Sequence, residues 1–131
     1  MTTVYLAGPI NGCSDSEMND WRDDMAKRLR DFTILSPAVR DYRGKEDESV
    51  EEIVEGDKKD IDASDIVIAY CPKPSVGTSM EILYAWMAYK HVIIYAPEGA
   101  PISPWLRYHS NDIRHTAADV AVAVVLHEAA A

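Results

Sequence analysis

Three short stretches of this chain carry side chains that could do chemistry together. Glu81 follows the turn Pro74-Ser75-Val76-Gly77. Asp57 lies in the acidic run Asp57, Asp60, Asp62. Tyr5 stands in the apolar run before Gly8-Pro9-Ile10-Asn11-Gly12. In an open α/β sheet, loops at the carboxyl ends of the strands meet over one crevice. Two carboxylates and a tyrosine around such a cleft suit cleavage of a glycosidic bond. One carboxylate attacks the anomeric carbon, and the other manages the proton of the leaving group. Glu81 also has a plain reading: Thr78-x-x-Glu81 fits a capping box that merely starts a helix. The positive end of a helix dipole would keep a carboxylate there ionised.

The elements that must position these groups follow from the pattern. Ile66 to Tyr70 reads as a buried strand, residues 71–77 as a turn marked by Pro72, Pro74 and Gly77, and Thr78 as the start of a helix. Upstream, Val4 to Ala7 is the first strand. Ser14-x-x-Glu17 opens a helix whose Met18, Trp21, Met25, Leu29 and Phe32 recur at helical spacing. Thr33 to Leu35 is a weak strand stopped by Ser36-Pro37. Residues 38–48 are polar and charged; they read as a surface loop able to act as a lid, with the charges on a solvated face. Ser49-x-x-Glu52 starts the next helix, with Val50, Ile53, Val54 and Ile61 inward. Asp65 fixes the start of the central strand. Val92 to Tyr95 is a further strand, Ser103-Pro104 an N-cap with proline at the first helical position, Ile113 to His115 an edge strand, and Thr116 the start of a final helix.

Strands alternating with helices through short loops predict a single-domain α/β fold: a doubly wound parallel sheet, flavodoxin-like or Rossmann-like, with helices on both faces. Gly8 to Gly12 is not the G-x-G-x-x-G fingerprint, and Gly77-Thr78 is not a G-x-x-x-x-G-K-[ST] loop, so neither a dinucleotide nor ATP hydrolysis is indicated. No cofactor is expected.

The chain has 131 residues, 47% hydrophobic and 27% charged, with net charge −9. An acidic balance argues against a nucleic-acid polymer as partner. No run is long enough to span a membrane, and the amino terminus lacks the pattern of a signal peptide. Cys13 and Cys71 are far apart and lack metal-ligand spacing, which fits reduced thiols in a cytoplasmic protein without a bound metal.

The segments VYLAGPING, IVEGD, IDASDIVIA, PSVGTSMEILYA and SPWLRYHS together resemble the nucleoside 2-deoxyribosyltransferase family. That family includes relatives that hydrolyse deoxynucleoside 5′-monophosphates. The resemblance implies Glu81 as the nucleophile that forms a glycosyl ester. It implies Asp57 as the aspartate that contacts the base and helps protonate it, and Tyr5 as the tyrosine that orients the nucleophile. It also implies substrate contacts from Gly8, Pro9, Ile10, Asn11, Gly12, Ser75 and Gly77. Ser103 and Trp105 match a segment that reaches into a neighbouring subunit's site, which implies a homo-oligomer. The expected partners are a nucleoside or nucleotide and a free nucleobase. Transfer of deoxyribose to another base is the first expectation.

The residues divide on the alternative, hydrolysis of monophosphates. Ser75 and Ser103 match serines of the hydrolases. Pro9 and Asn11 replace a serine and an arginine that help hold phosphate there, a charge-assisted contact worth roughly 1.5–3 kcal/mol. A nucleotide-binding module that does not cleave is the remaining alternative. His91, His109, His115 and His127 receive no role.

Overall fold

The computed structural model describes residues 1–131. In chain order the elements are β1 (Thr3–Ala7), α1 (Asp15–Arg28), β2 (Thr33–Leu35), α2 (Val50–Asp62), β3 (Ile66–Tyr70), α3 (Val76–Met87), β4 (His91–Tyr95), α4 (Pro104–Tyr108), β5 (Asp112–Arg114) and α5 (Ala117–Ala130). Short 3₁₀ turns at Pro37–Val39 and Glu46–Glu48 shape the connection between β2 and α2. All pairings are parallel, and the strand order is β2-β1-β3-β4-β5. This is the doubly wound order of the flavodoxin-like folds, whose switch point lies between β1 and β3.

Alternation along the strands builds two cores. Val4, Leu6, Ile66, Ile68 and Ile93 pack under α1 and α5 with Trp21, Met25 and Val124. Tyr5, Ala7, Val67, Ala69, Val92 and Ile94 face α2 and α3, against Ile61, Ile82 and Ala85. Tyr5 therefore belongs to the face covered by α2, which carries Asp57, and α3, which carries Glu81. A one-residue slip of β1 would turn it to the other side. Asp65 ties the start of β3 to β1, accepting from the Thr3 amide at 2.9 Å. No helix is long and apolar enough to cross a membrane.

Several starts differ from the sequence pattern. Helix α3 begins at Val76, with Ser75 as its cap, two residues before the expected Thr78. Helix α2 begins after Ser49, but that hydroxyl makes no capping bond because a 3₁₀ turn already leads into the helix. The box at Ser14 and Glu17 is complete in both directions, and Ser103 caps α4 with Pro104 following.

Candidate active site

Glu81 is not the cap of its helix. Ser75 is the cap and accepts from the Thr78 amide, so Thr78, not Glu81, occupies the position where a capping box would place its carboxylate. Glu81 lies one turn further on, in the row Thr78, Glu81, Ile82, Ala85 that faces the sheet; the other three are buried. The Tyr5 hydroxyl, from β1, donates to the Glu81 carboxylate. Tyr5 itself is fully buried.

The expectation that the helix terminus keeps Glu81 ionised is corrected by this placement. Burial, then the charge of Asp57, pushes the Glu81 carboxyl up to about 8, against the pull of Tyr5, Arg22 and Arg40. Burial and the neighbouring carboxylates push the Tyr5 phenol upward too, so Tyr5 stays protonated and remains a donor.

Asp57 arrives from α2. Ile61, one turn later on the same face, is anchored in the core and fixes where Asp57 lies. Arg40 Nη2 donates to Asp57 Oδ1 at 3.2 Å, and Arg40 Nη1 donates to Asp60 Oδ2 at 2.7 Å. Burial raises the Asp57 carboxyl above its ordinary value, and Arg40 opposes the rise.

The loop after β1 is held from below by Arg22 of α1, which is only 3% exposed. Its guanidinium donates to the carbonyls of Met18 at 2.7 Å and Gly8 at 2.9 Å. A side chain on Gly8 would meet the Trp21 ring at 2.6 Å, so the loop can lie this close to α1 only with glycine there.

These parts surround a cavity of about 390 Å³ at the carboxyl ends of β1 and β3. Glu81, Asp57, Gly8, Ile10, Asn11, Ser75 and Gly77 border it. Pro9 and Gly12 belong to the same loop but do not line the cavity. Pro9 is buried, and its carbonyl faces the Arg22 guanidinium. Gly12 makes the outer turn, with φ of +74°. Ser103 and Trp105 lie outside this cavity in the single chain. Ser103 shares a smaller adjoining hollow with Ser75, and the Trp105 ring is 70% exposed.

One wall comes from the loop 38–48, which the sequence suggests as a lid but in which it marks no site residue. Arg40, Tyr42, Arg43, Glu46 and Asp47 line the cavity, so the charge run 38–48 is not merely a solvated face. Arg43 anchors the loop by donating to the Cys13 carbonyl at 2.9 Å and to Asp41 and Asp15. The spacing of Asp57 and Asp60, neighbours on one helix face, is the available sign that a cation sits there. Val50, Ile53 and Val54, expected inward, form the apolar side of the cavity instead.

The histidines stay outside. His91 stacks on His127 at 3.7 Å, by a hollow at the opposite end of the sheet. His109 Nδ1 lies 2.7 Å from the Trp105 carbonyl and His115 Nδ1 lies 2.9 Å from that of Ala96.

The family model described as "Nucleoside 2-deoxyribosyltransferase like" matches residues 1–100. A search of curated proteins finds no significant match. Among solved structures, the chain is similar to the 2-deoxyribosyltransferase of Bacillus psychrosaccharolyticus, with TM-score 0.74 and 20% identity over 92% of this chain and 90% of that one. It is similar to a conserved protein from Enterococcus faecalis V583, with TM-score 0.68 and 14% identity over 92% of this chain and 95% of that one. It is also similar to a CMP N-glycosidase of Clostridium botulinum, with TM-score 0.64 and 19% identity over 94% of this chain and 98% of that one. At these identities the likeness shows the shared fold.

Proposed function

The chain belongs to the nucleoside 2-deoxyribosyltransferase-like family, and from that premise we propose that it cleaves the N-glycosidic bond of 2′-deoxyribonucleosides and passes the deoxyribosyl group to another nucleobase. The observation that carries this reading is the Glu81 carboxylate, bonded by Tyr5 and facing a cavity that Asp57 also lines. In this reading Glu81 attacks C1′ as the base leaves, forming a glycosyl ester. The departing base takes a proton at the Asp57 side. A second base then attacks C1′ from the opposite face and releases Glu81, so the configuration is retained overall. Tyr5 orients the carboxylate and stabilises its ionised form.

Hydrolysis of deoxynucleoside 5′-monophosphates is the second reading. It is favoured by Ser75, which caps α3 and lies between the main cavity and the hollow that contains Ser103. The first amides of a helix together with a serine suit a phosphate. Against it, both arginines of the cavity are already engaged by carboxylates.

We further propose that the protein assembles as a homo-oligomer, with Ser103 and Trp105 of a neighbour completing each site. Supporting this, Val76, Met80 and Met87 of α3 are exposed together with Trp105 and Tyr108 of α4. Sedimentation at several concentrations tests it; a monomer throughout would refute it.

Chromatographic product analysis decides the reaction. The protein is incubated with a deoxynucleoside plus a different free base, and separately with the 5′-monophosphate alone. A new nucleoside in the first tube supports transfer. Free base only in the second supports hydrolysis. Saturable binding without product in either supports a nucleotide-binding module and refutes the nucleophile assignment.

A further inference from the structure

The charged wall of the cavity centres on Arg40, which lies just beyond the 3₁₀ turn that follows β2. Its guanidinium does not point into open solvent. One nitrogen holds Asp57 and the other holds Asp60. Two carboxylates one helical turn apart thus share one planar fork, the geometry for which arginine is suited and lysine is not.

Helix α2 is shaped to receive this fork. Gly56 sits beside it in mid-helix, where glycine is a poor choice. A Cβ at that position would stand 3.0 Å from Arg40 Nε, tighter than side chains ordinarily pack. The missing side chain lets the guanidinium lie flat against the helix.

The surroundings are otherwise acidic. Asp57 is faced by Asp60 on its own helix, Glu81 from α3, Tyr5 from β1 and Arg40 from the loop. Arg22 of α1 is the other cation that acts on it, and Arg22 bonds only to carbonyls. Arg40 is therefore the cation in direct contact with Asp57, and it acts on Glu81 only through its charge.

We propose that Arg40 is a positioning residue for this reaction. Its fork holds one oxygen of Asp57 so that the carboxylate is aimed at the leaving base, and its charge lets Asp57 and Glu81 stand at one cavity. This rests on the reaction proposed above, since it assigns Asp57 to the base.

The test compares wild type with Arg40→Met and Arg40→Lys in two measurements. The first follows the Asp57 carboxyl carbon by NMR through a pH titration, which needs no turnover. Removing a contacting cation should raise the Asp57 midpoint by about 1–3 on the pH scale in Arg40→Met. Arg40→Lys should restore part of that. The second measures kcat/KM against pH. The profile of Arg40→Met should move to higher pH. If the midpoint of Glu81 also rises by about 1, the rate on the acid side falls about tenfold. Arg40→Lys should recover the position of the profile but not the full rate, because a point charge cannot hold both carboxylates in register.

An unmoved Asp57 midpoint in both variants would overturn the proposal. So would a uniform loss of rate at every pH in Arg40→Met, which is what a purely structural residue would give. A folded wild type that cleaves no nucleoside or nucleotide would sink the reaction reading, and with it Arg40's role in turnover. The titration would then still judge the hold on Asp57. Were Arg40→Met not to fold, the titration and pH profile of Arg40→Gln, which also removes the charge, would decide between the same two outcomes.

Discussion

Tyr5→Phe removes one oxygen atom and leaves the ring in the core. It deletes the hydrogen bond that the buried phenol gives to Glu81. Hydrogen bonds to charged groups contribute roughly 1.5–3 kcal/mol. Where the carboxylate must be ionised to attack, losing that bond acts first on its protonation. Glu81 already sits near 8 in the intact site, so at pH 7 only about a tenth of it is ionised. A loss of about 1.5 kcal/mol raises that midpoint by about 1 and leaves about a hundredth ionised at pH 7. The expected result is a fall in kcat/KM of roughly tenfold at pH 7, shrinking as the pH rises past 9. The assay is initial-rate chromatography of base release from a deoxynucleoside between pH 6 and pH 10. A rate equal to wild type at pH 7 would refute the role of Tyr5. An equal loss at every pH would show that the hydroxyl acts on the geometry of attack and not on the charge of Glu81.

Three further outcomes follow from the same structure. Glu81→Gln should stabilise the fold increasingly with pH. The Glu81 carboxyl lies near 8 when folded against an ordinary 4.5, so below pH 4.5 both states hold the proton. Between these values only the folded state holds it, and stability falls as pH rises, until the cost is complete above 8. Urea unfolding should show the variant ahead by roughly 4–5 kcal/mol at pH 8.5 and by little at pH 4.5; the same difference at both would remove burial as the cause. Gly8→Ala should cost about 1–3 kcal/mol, because the new methyl lies 2.6 Å from Trp21; unchanged denaturant midpoints would contradict the close approach. Tyr89 has φ of +60° where the end of α3 needs the left-handed conformation. Tyr89→Gly should gain about 1 kcal/mol and raise the thermal midpoint by about 3–5 °C; a lower midpoint would mean that the ring is covered by another molecule in solution.

Much of the frame is legible in the chain because it is written in local patterns. Ser14 with Glu17, Ser103 with Pro104, and the apolar runs at Val4 and Ile66 each carry their own physical signal. The pattern starts helix α3 two residues late because Ser75 and Thr78 can both cap, and the choice depends on how the turn after β3 packs. That small shift conceals a useful sign. With Ser75 as the cap, Glu81 falls in the sheet-facing row of Thr78, Ile82 and Ala85. A carboxylate in such a row is out of place unless it has a task. The loop 38–48 is harder. Its residues follow no period, and nothing local distinguishes an arginine that folds back onto α2 from one that stays in water. Only the pairing with Asp57 and Asp60, seventeen and twenty residues away, makes the difference.

The arrangement also explains why the site draws on so many segments. A buried nucleophilic carboxylate needs low solvation to be reactive, yet low solvation favours its neutral form. Tyr5 offsets this from β1 with one hydrogen bond, and Arg40 and Arg22 act from the loop and from α1. No single element can supply all three, because successive residues of a strand face opposite sides and a helix presents one stripe. The crevice between β1 and β3 is where helices from both halves of the sheet converge, and there a donor and two cations can surround Glu81 without occupying the space that a substrate needs.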